Sequence, residues 1–102
     1  MLVILFRSKL TATAGDDYGA MAQAMANHAK TFQGVVAMKG FKADDGERLT
    51  VVWWTDEESL TVWANDLKHR AAQNLGREKW YEYYKIDVAQ IIRSNNFDRP
   101  SA

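Results

Sequence analysis

Between positions 51 and 84 the chain reads VVWWTDEESLTVWANDLKHRAAQNLGREKWYEYY. All four tryptophans lie here, with His69, two arginines and three of the four tyrosines. Large aromatics set among polar groups at this density, in so small a chain, mark the wall of a pocket or an interface. Trp63 offers a flat apolar wall with one N–H donor, or simply a packing surface. His69 titrates near neutral pH and is a candidate proton acceptor, or a surface histidine on a solvated helix. Arg7 emerges at the end of a hydrophobic strand. On the helical side of a sheet it could stabilise an oxyanion; otherwise it forms a structural ion pair. Asn65 can donate or accept a hydrogen bond, or break a helix beside Asp66. Trp54 and Tyr81 complete the candidate binding set. Tyr81, Tyr83 and Tyr84 alternate faces along a strand, so one or two of them can reach a pocket. His28, near the end of the first helix, is expected to be exposed.

Stronger chemical signatures are missing. With no cysteine there is no disulfide, no thiolate nucleophile and no thiolate metal site. Two histidines 41 positions apart are weak support for a metal centre, and none is assigned. The six glycines are scattered at turns rather than gathered in a phosphate-binding loop. No nucleophile elbow of the G-x-S-x-G type occurs. Basic and acidic residues number 13 each and the net charge is zero. A nucleic-acid binder needs a basic face, so that class is set aside. The same neutrality gives little repulsion against self-association. The opening MLVILFRSKL is apolar for about six residues and then basic, in the wrong order for a signal peptide and too short to span a bilayer. The expectation is a cytoplasmic protein with no membrane partner.

The elements that must position these side chains follow from periodicity. Residues 2–8 are apolar and β-rich, a strand covered on both faces. Gly15-Asp16-Asp17 opens a helix with an aspartate as N-cap. Tyr18, Met21, Ala22, Met25, Ala29 and Phe32 form its apolar stripe, and Gly34 is placed to stop it. Residues 35–42 and 49–54 are strands joined by a turn at Asp44-Asp45-Gly46. Thr55 to Glu58 reads as a capping box. The second helix follows, with Leu60, Trp63, Ala64 and Leu67 on one face. A break at Asn65-Asp66 would recap a further turn or two over residues 67–75. Residues 80–93 form a long final strand. The whole chain, residues 1–102, is one domain with a frayed tail from about residue 95. The order β-α-β-β-α-β is the ferredoxin-like α+β plan, a four-stranded antiparallel sheet with two helices on one face. Trp53 and Trp54 are adjacent in a strand and so point to opposite faces. One meets the helices; the other needs a partner, and a second copy is the simplest.

These residues resemble a known family. Trp53-Trp54, Trp63, His69-x-x-Ala72-Gln73, Gly76-Arg77, Trp80-Tyr81 and Tyr84 on a βαββαβ chain of this length are similar to the antibiotic biosynthesis monooxygenase-like family, within the dimeric α+β barrel superfamily. The resemblance implies a homodimer whose sheets pack face to face, with a pocket in each subunit between sheet and helices. It implies oxidation of a planar phenolic small molecule by dioxygen with no cofactor. His69, Trp63 and Arg7 would be catalytic; Trp63, Asn65, Trp54 and Tyr81 would bind substrate. The alternative on the same scaffold is a non-enzymatic ligand-binding or sensing dimer. A haem-cleaving branch also exists. Its Asn, Trp and iron-ligating His would fall on Ser8, Trp63 and Gln73, so two of three residues differ. Haem degradation ranks behind the other readings.

Overall fold

The structure, a computed structural model, describes residues 1–68 and 80–100. Its elements are β1 (Leu2–Leu10), α1 (Asp16–Ala29), β2 (Val35–Lys42), β3 (Arg48–Trp54), α2 (Glu57–Lys68) and β4 (Tyr81–Gln90). The strands form one sheet in the order β2-β3-β1-β4, with every neighbouring pair antiparallel. The ferredoxin-like α+β plan is therefore the fold. Among the described residues no helix is long and apolar enough to cross a membrane.

Register decides which side chains share a face. Leu2, Ile4, Phe6 and Ser8 stand opposite Trp54, Val52, Thr50 and Arg48 on β3. Directly opposed residues project to the same side of an antiparallel pair. Met38, Gly40 and Lys42 extend these rows onto β2, and Tyr84, Ile86 and Val88 extend them onto β4. The helices cover this face. Trp54 is fully buried on it with Ile4, Val52 and Leu60 of α2, and Phe32, Val35 and Trp63 pack around them. Burying side chains of this size contributes roughly 1.5–3 kcal/mol each. Trp53 points to the opposite face, in the row of Val3, Leu5 and Val51.

Several local expectations shift by one or two positions, each for a physical reason. The N-cap of α1 is Gly15, with no side-chain cap bond, rather than an aspartate. At α2 the cap is Asp56, not Thr55. Its Oδ1 accepts the Ser59 amide at 2.8 Å, and its Oδ2 accepts the Thr55 hydroxyl at 3.0 Å. The Ser59 amide and then the Thr55 hydroxyl lower the Asp56 pKa by stabilising the carboxylate. The helix does not break at Asn65-Asp66 but runs through to Lys68. Any continuation to residue 75 lies outside the described residues. β4 ends at Gln90 rather than Arg93, where its pairing with β1 ends at Leu2. The Ile91 amide makes the last bond, to the Met1 carbonyl at 3.0 Å.

Gly34 does not stop α1, which ends at Ala29 in tight turns closed by the Thr31 and Phe32 amides. Its role is to enter β2 beside α2. The backbone there has φ +97°, and a Cβ would sit 2.5 Å from the Ser59 Cβ. The Gly34 carbonyl accepts the Thr55 amide at 2.9 Å, which joins the start of β2 to the end of β3. Gly34→Ala adds left-handed strain to a direct clash and should destabilise the fold by about 2–4 kcal/mol. At Gly40 a Cβ would meet nothing within 4 Å. Gly40→Ala should therefore be neutral or slightly stabilising. Urea unfolding of the two variants checks the contrast.

Candidate functional site

Among the described residues, one end of the layer between sheet and helices is filled. Beyond Trp54 and Leu60 the layer opens into a cavity of about 200 Å³. Ile4, Phe6, Thr50, Val52 and Ile86 form its sheet wall, and Met38 its β2 edge. Tyr18, Ala22, Met25, Ala26 and Ala29 of α1 form the opposite wall. Tyr18, Ala22, Met25 and Ala29 of the expected stripe thus face the cavity. The stripe's small residues leave the space that larger ones would close. Trp63 of α2 closes the inner end and Trp80, Tyr81 and Tyr84 the outer one.

The outer wall depends on one irregularity. Along β1, Lys9 pairs with Tyr83 but Leu10 pairs with Tyr81, so Glu82 is an extra residue in β4. Such a bulge shifts the alternation of a strand by one position. It brings Tyr81 to the same face as Tyr84, with ring centres 5.8 Å apart. Phe6 stacks against Tyr84 at 5.9 Å and meets Tyr81 edge-on at 6.0 Å. From α1, Tyr18 meets Trp80 edge-on at 5.7 Å and Tyr81 at 5.8 Å. Edge-to-face pairs of this kind contribute about 0.5–1.5 kcal/mol beyond their burial. The aromatic cluster therefore anchors the first turn of α1 to β4 across the cavity mouth.

The cavity presents neutral hydrogen-bond donors. Burial, and then the adjoining Tyr18 with which it shares a hydrogen bond, push the Tyr81 hydroxyl well above the ordinary tyrosine range. It remains a protonated donor throughout the physiological range. The Trp63 indole is tilted against Trp54 at 5.6 Å, and its buried Nε1 has no hydrogen-bond partner among the described residues. A buried unpaired donor costs about 1–3 kcal/mol, which a ligand oxygen at that position would recover. No Asp, Glu, His, Lys or Arg is among the described lining residues. Among the described residues no group of three or more metal-ligating side chains comes together.

The candidate residues fare differently. Trp63 and Tyr81 line the cavity together. Trp54 lies on the same face but deeper, in the core behind Trp63. Asn65 is exposed on α2 and is not in the lining. Arg7 stands on the opposite face of the sheet, 3.9 Å from Glu47, as the structural ion-pair alternative requires. Tyr83 joins them there. It donates to Glu47, and that bond raises its pKa to about 12. His69 lies outside the described residues, as do Gln73 and Arg77. His28 is not free on the surface. Its Nε2 lies 3.1 Å from the Asp66 carboxylate and its ring packs edge-on against Phe32, which ties α1 to α2.

Sequence reasoning did not single out Phe6, Tyr18 or Trp80 as site residues, and named Tyr84 only as one of three tyrosines of which one or two reach a pocket. For Tyr18 the signal was available, because it heads the apolar stripe of α1. For Tyr81 with Tyr84 it was not, since nothing in YEYY marks the bulge.

No protein-family model matches the chain. A relative, the uncharacterized protein YqjZ of Bacillus subtilis, is 31% identical over 80 residues, covering 78% of this chain and 70% of that protein. Jasmonate monooxygenase ABM of Pyricularia oryzae is 27% identical over 104 residues. That match covers 97% of this chain, which spans about half (48%) of the fungal protein's length. Many solved structures share the fold. A crystal structure of an antibiotic biosynthesis monooxygenase superposes with TM-score 0.76 at 12% identity, covering 91% of this chain and 100% of that one. SnoaB, a cofactor-independent oxygenase from Streptomyces nogalater, gives 0.69 at 10% identity, with 91% and 94% covered. A mutant of MhuD with two manganese protoporphyrin IX bound per active site gives 0.68 at 13% identity, with 95% and 100% covered. The sequence likeness to YqjZ and the shared fold agree with the tryptophan and tyrosine pattern, and the chain belongs to the antibiotic biosynthesis monooxygenase-like family.

Proposed function

We propose that the chain is a monooxygenase that oxidises a planar, electron-rich aromatic molecule with dioxygen, without metal or flavin, as a homodimer. The observation that supports this most is the cavity: apolar walls about a planar-molecule-sized space, with protonated donors at both ends. Ground-state dioxygen is a triplet and reacts slowly with closed-shell organics. A deprotonated phenol can supply one electron itself, giving a substrate radical and superoxide. These combine to a peroxide, which collapses to a carbonyl and water. The substrate loses two hydrogens and gains one oxygen atom; the second oxygen leaves as water. The protein's share is to exclude water, hold the ring and donate hydrogen bonds to the developing oxyanion. The Trp63 N–H is suited to donate, and Tyr81 would do so by turning from Tyr18 to the ligand. His69 is the proposed proton acceptor, on the strength of the family pattern. The names of SnoaB, a cofactor-independent oxygenase, and of the fungal monooxygenase fit this chemistry.

A second reading has its own support. The described lining holds no charged group, so it is suited to binding whether or not chemistry follows. A ligand-binding or sensing dimer would need nothing more. Dimerisation itself is proposed through the sheet face away from the helices, where Val3, Leu5, Val51 and Trp53 lie in two adjacent rows.

Light scattering at micromolar concentration should give twice the chain mass; a folded monomer would remove the barrel assembly. Binding of 2-naphthol should quench tryptophan emission. Trp63→Phe keeps the wall but removes the N–H, and should weaken binding several-fold while changing stability by less than about 1.5 kcal/mol. Trp63→Ala should cost about 3–5 kcal/mol. If both variants bind as the parent does, Trp63 is core alone. Oxygen uptake with a panel of phenols and hydroquinones should be detectable and survive a strong chelator. His69→Ala should slow it by about 10²–10⁴-fold, the range for a general base, whereas His28→Ala should not. Binding without oxygen uptake across the panel would favour the sensing dimer.

A further inference from the structure

Lys42 and Arg48 are directly opposed across the β2–β3 pair, on the face that the helices cover. Opposed residues hold their Cβ atoms about 4.5–5.5 Å apart, and like charges at that separation destabilise the sheet. Among the described residues neither makes an ion pair with a carboxylate. Of the three nearby hairpin acids, Asp44 forms no ion pair with either cation among the described residues, and the other two are otherwise engaged. Glu47 is held on the far face by Tyr83 and Arg7, and Asp45 accepts the Glu47 amide at 2.9 Å. Two exposed cations side by side are therefore left to face solvent. They do not stand at random. Both line an open groove that shares Phe6, Tyr18, Ala22 and Thr50 with the aromatic cavity. The Arg48 guanidinium lies over the Tyr18 ring, 5.9 Å from its centre, at the cavity mouth. Between them and the cavity Gly40 contributes no side chain, and the space above it is open.

We propose that Lys42 and Arg48 form an anion clamp at the cavity mouth, so that the molecule this site takes is an aromatic carboxylate, its ring in the cavity and its carboxylate on the clamp. This deepens the reading above and rests on it. A guanidinium presents a planar fork that matches a carboxylate, and its seat on the Tyr18 ring limits its freedom before the ligand arrives. A bound carboxylate would also relieve the repulsion between the two cations. Within the cavity nothing described could neutralise a carboxylate, so its charge must remain at the mouth. A substrate of this class enters ring first, which presents the far end of the ring to Trp63.

The test compares 6-hydroxy-2-naphthoate with its methyl ester, which differ in charge and little in shape. Tryptophan quenching should show the acid binding about tenfold more tightly than the ester, as a charge-assisted contact worth about one decade implies. That preference should shrink as salt is raised. Arg48→Met and Lys42→Met should each reduce it, whereas Arg48→Lys should retain much of it. Lys42 is exposed on an edge strand, so its variant carries the test if Arg48→Met fails to fold. Equal binding of acid and ester, or a preference that persists in Lys42→Met and Arg48→Met alike, overturns the clamp and leaves the aromatic cavity standing. If neither compound binds, the cavity reading itself falls and the clamp with it.

Discussion

The helical face of the sheet has to be covered, and among the described residues it is packed solid at one end. Trp54 sets that boundary. Fully buried between Ile4, Val52 and Leu60, it fills the space where α2 lies closest to β3. Beyond it, α1 meets the sheet through alanines and a methionine that cannot reach across. What keeps α1 in place at that end is the ring cluster of Tyr18, Trp80, Tyr81 and Phe6, together with the His28–Asp66 contact at the other end of the helix. A helix held at its two ends and spaced from the sheet in its middle encloses a cavity by construction. The void costs packing energy, which the rings and the core end must offset. Such a cost is tolerated where the space is used.

Much of this was legible in the chain. Element order follows from periodicity and from the turns at Gly34 and Gly46, both of which have the positive φ that glycine allows. Adjacent tryptophans in a strand had to part to opposite faces, and Trp53 and Trp54 do. The stripe of α1 gave the cavity's far wall. What the sequence concealed was long-range. Arg7 at the end of an apolar strand is compatible with either face, and only the β1–β3 register puts it beside Glu47 instead of in the cavity. Asn65-Asp66 carries the local signature of a helix break, yet the helix continues, since Asp66 is drawn to His28 of the neighbouring helix. Tertiary contact overrode local preference at that point. The bulge at Glu82 has no proline or glycine to announce it.

Family membership constrains the chemistry less than the geometry does. The fold is shared by a cofactor-independent oxygenase and by a protein with protoporphyrin bound, so the scaffold alone does not choose between them. The side chains bear on the choice. Where the haem-cleaving pattern has an asparagine, this chain has Ser8, buried on β1, and the iron-ligating position falls on Gln73. In place of a ligating set, the described residues offer rings and neutral donors. An electron-rich aromatic guest, as proposed above, would meet ring contacts on its faces and a donor at its oxygens in such a lining.

The two faces of the sheet divide the polar work between them. Arg7, Glu47 and Tyr83 form a neutralised group on the face away from the helices. By engaging Glu47 there, they keep it from Arg48, its chain neighbour, which projects to the other side. Were Glu47 to pair with Arg48, the cavity mouth would lose its uncompensated positive charge. The hairpin thus sorts charge by strand alternation: the acid goes to one face, and the two cations stay at the entrance on the other. That sorting needs no residue of unusual chemistry, only the period of two that every strand obeys.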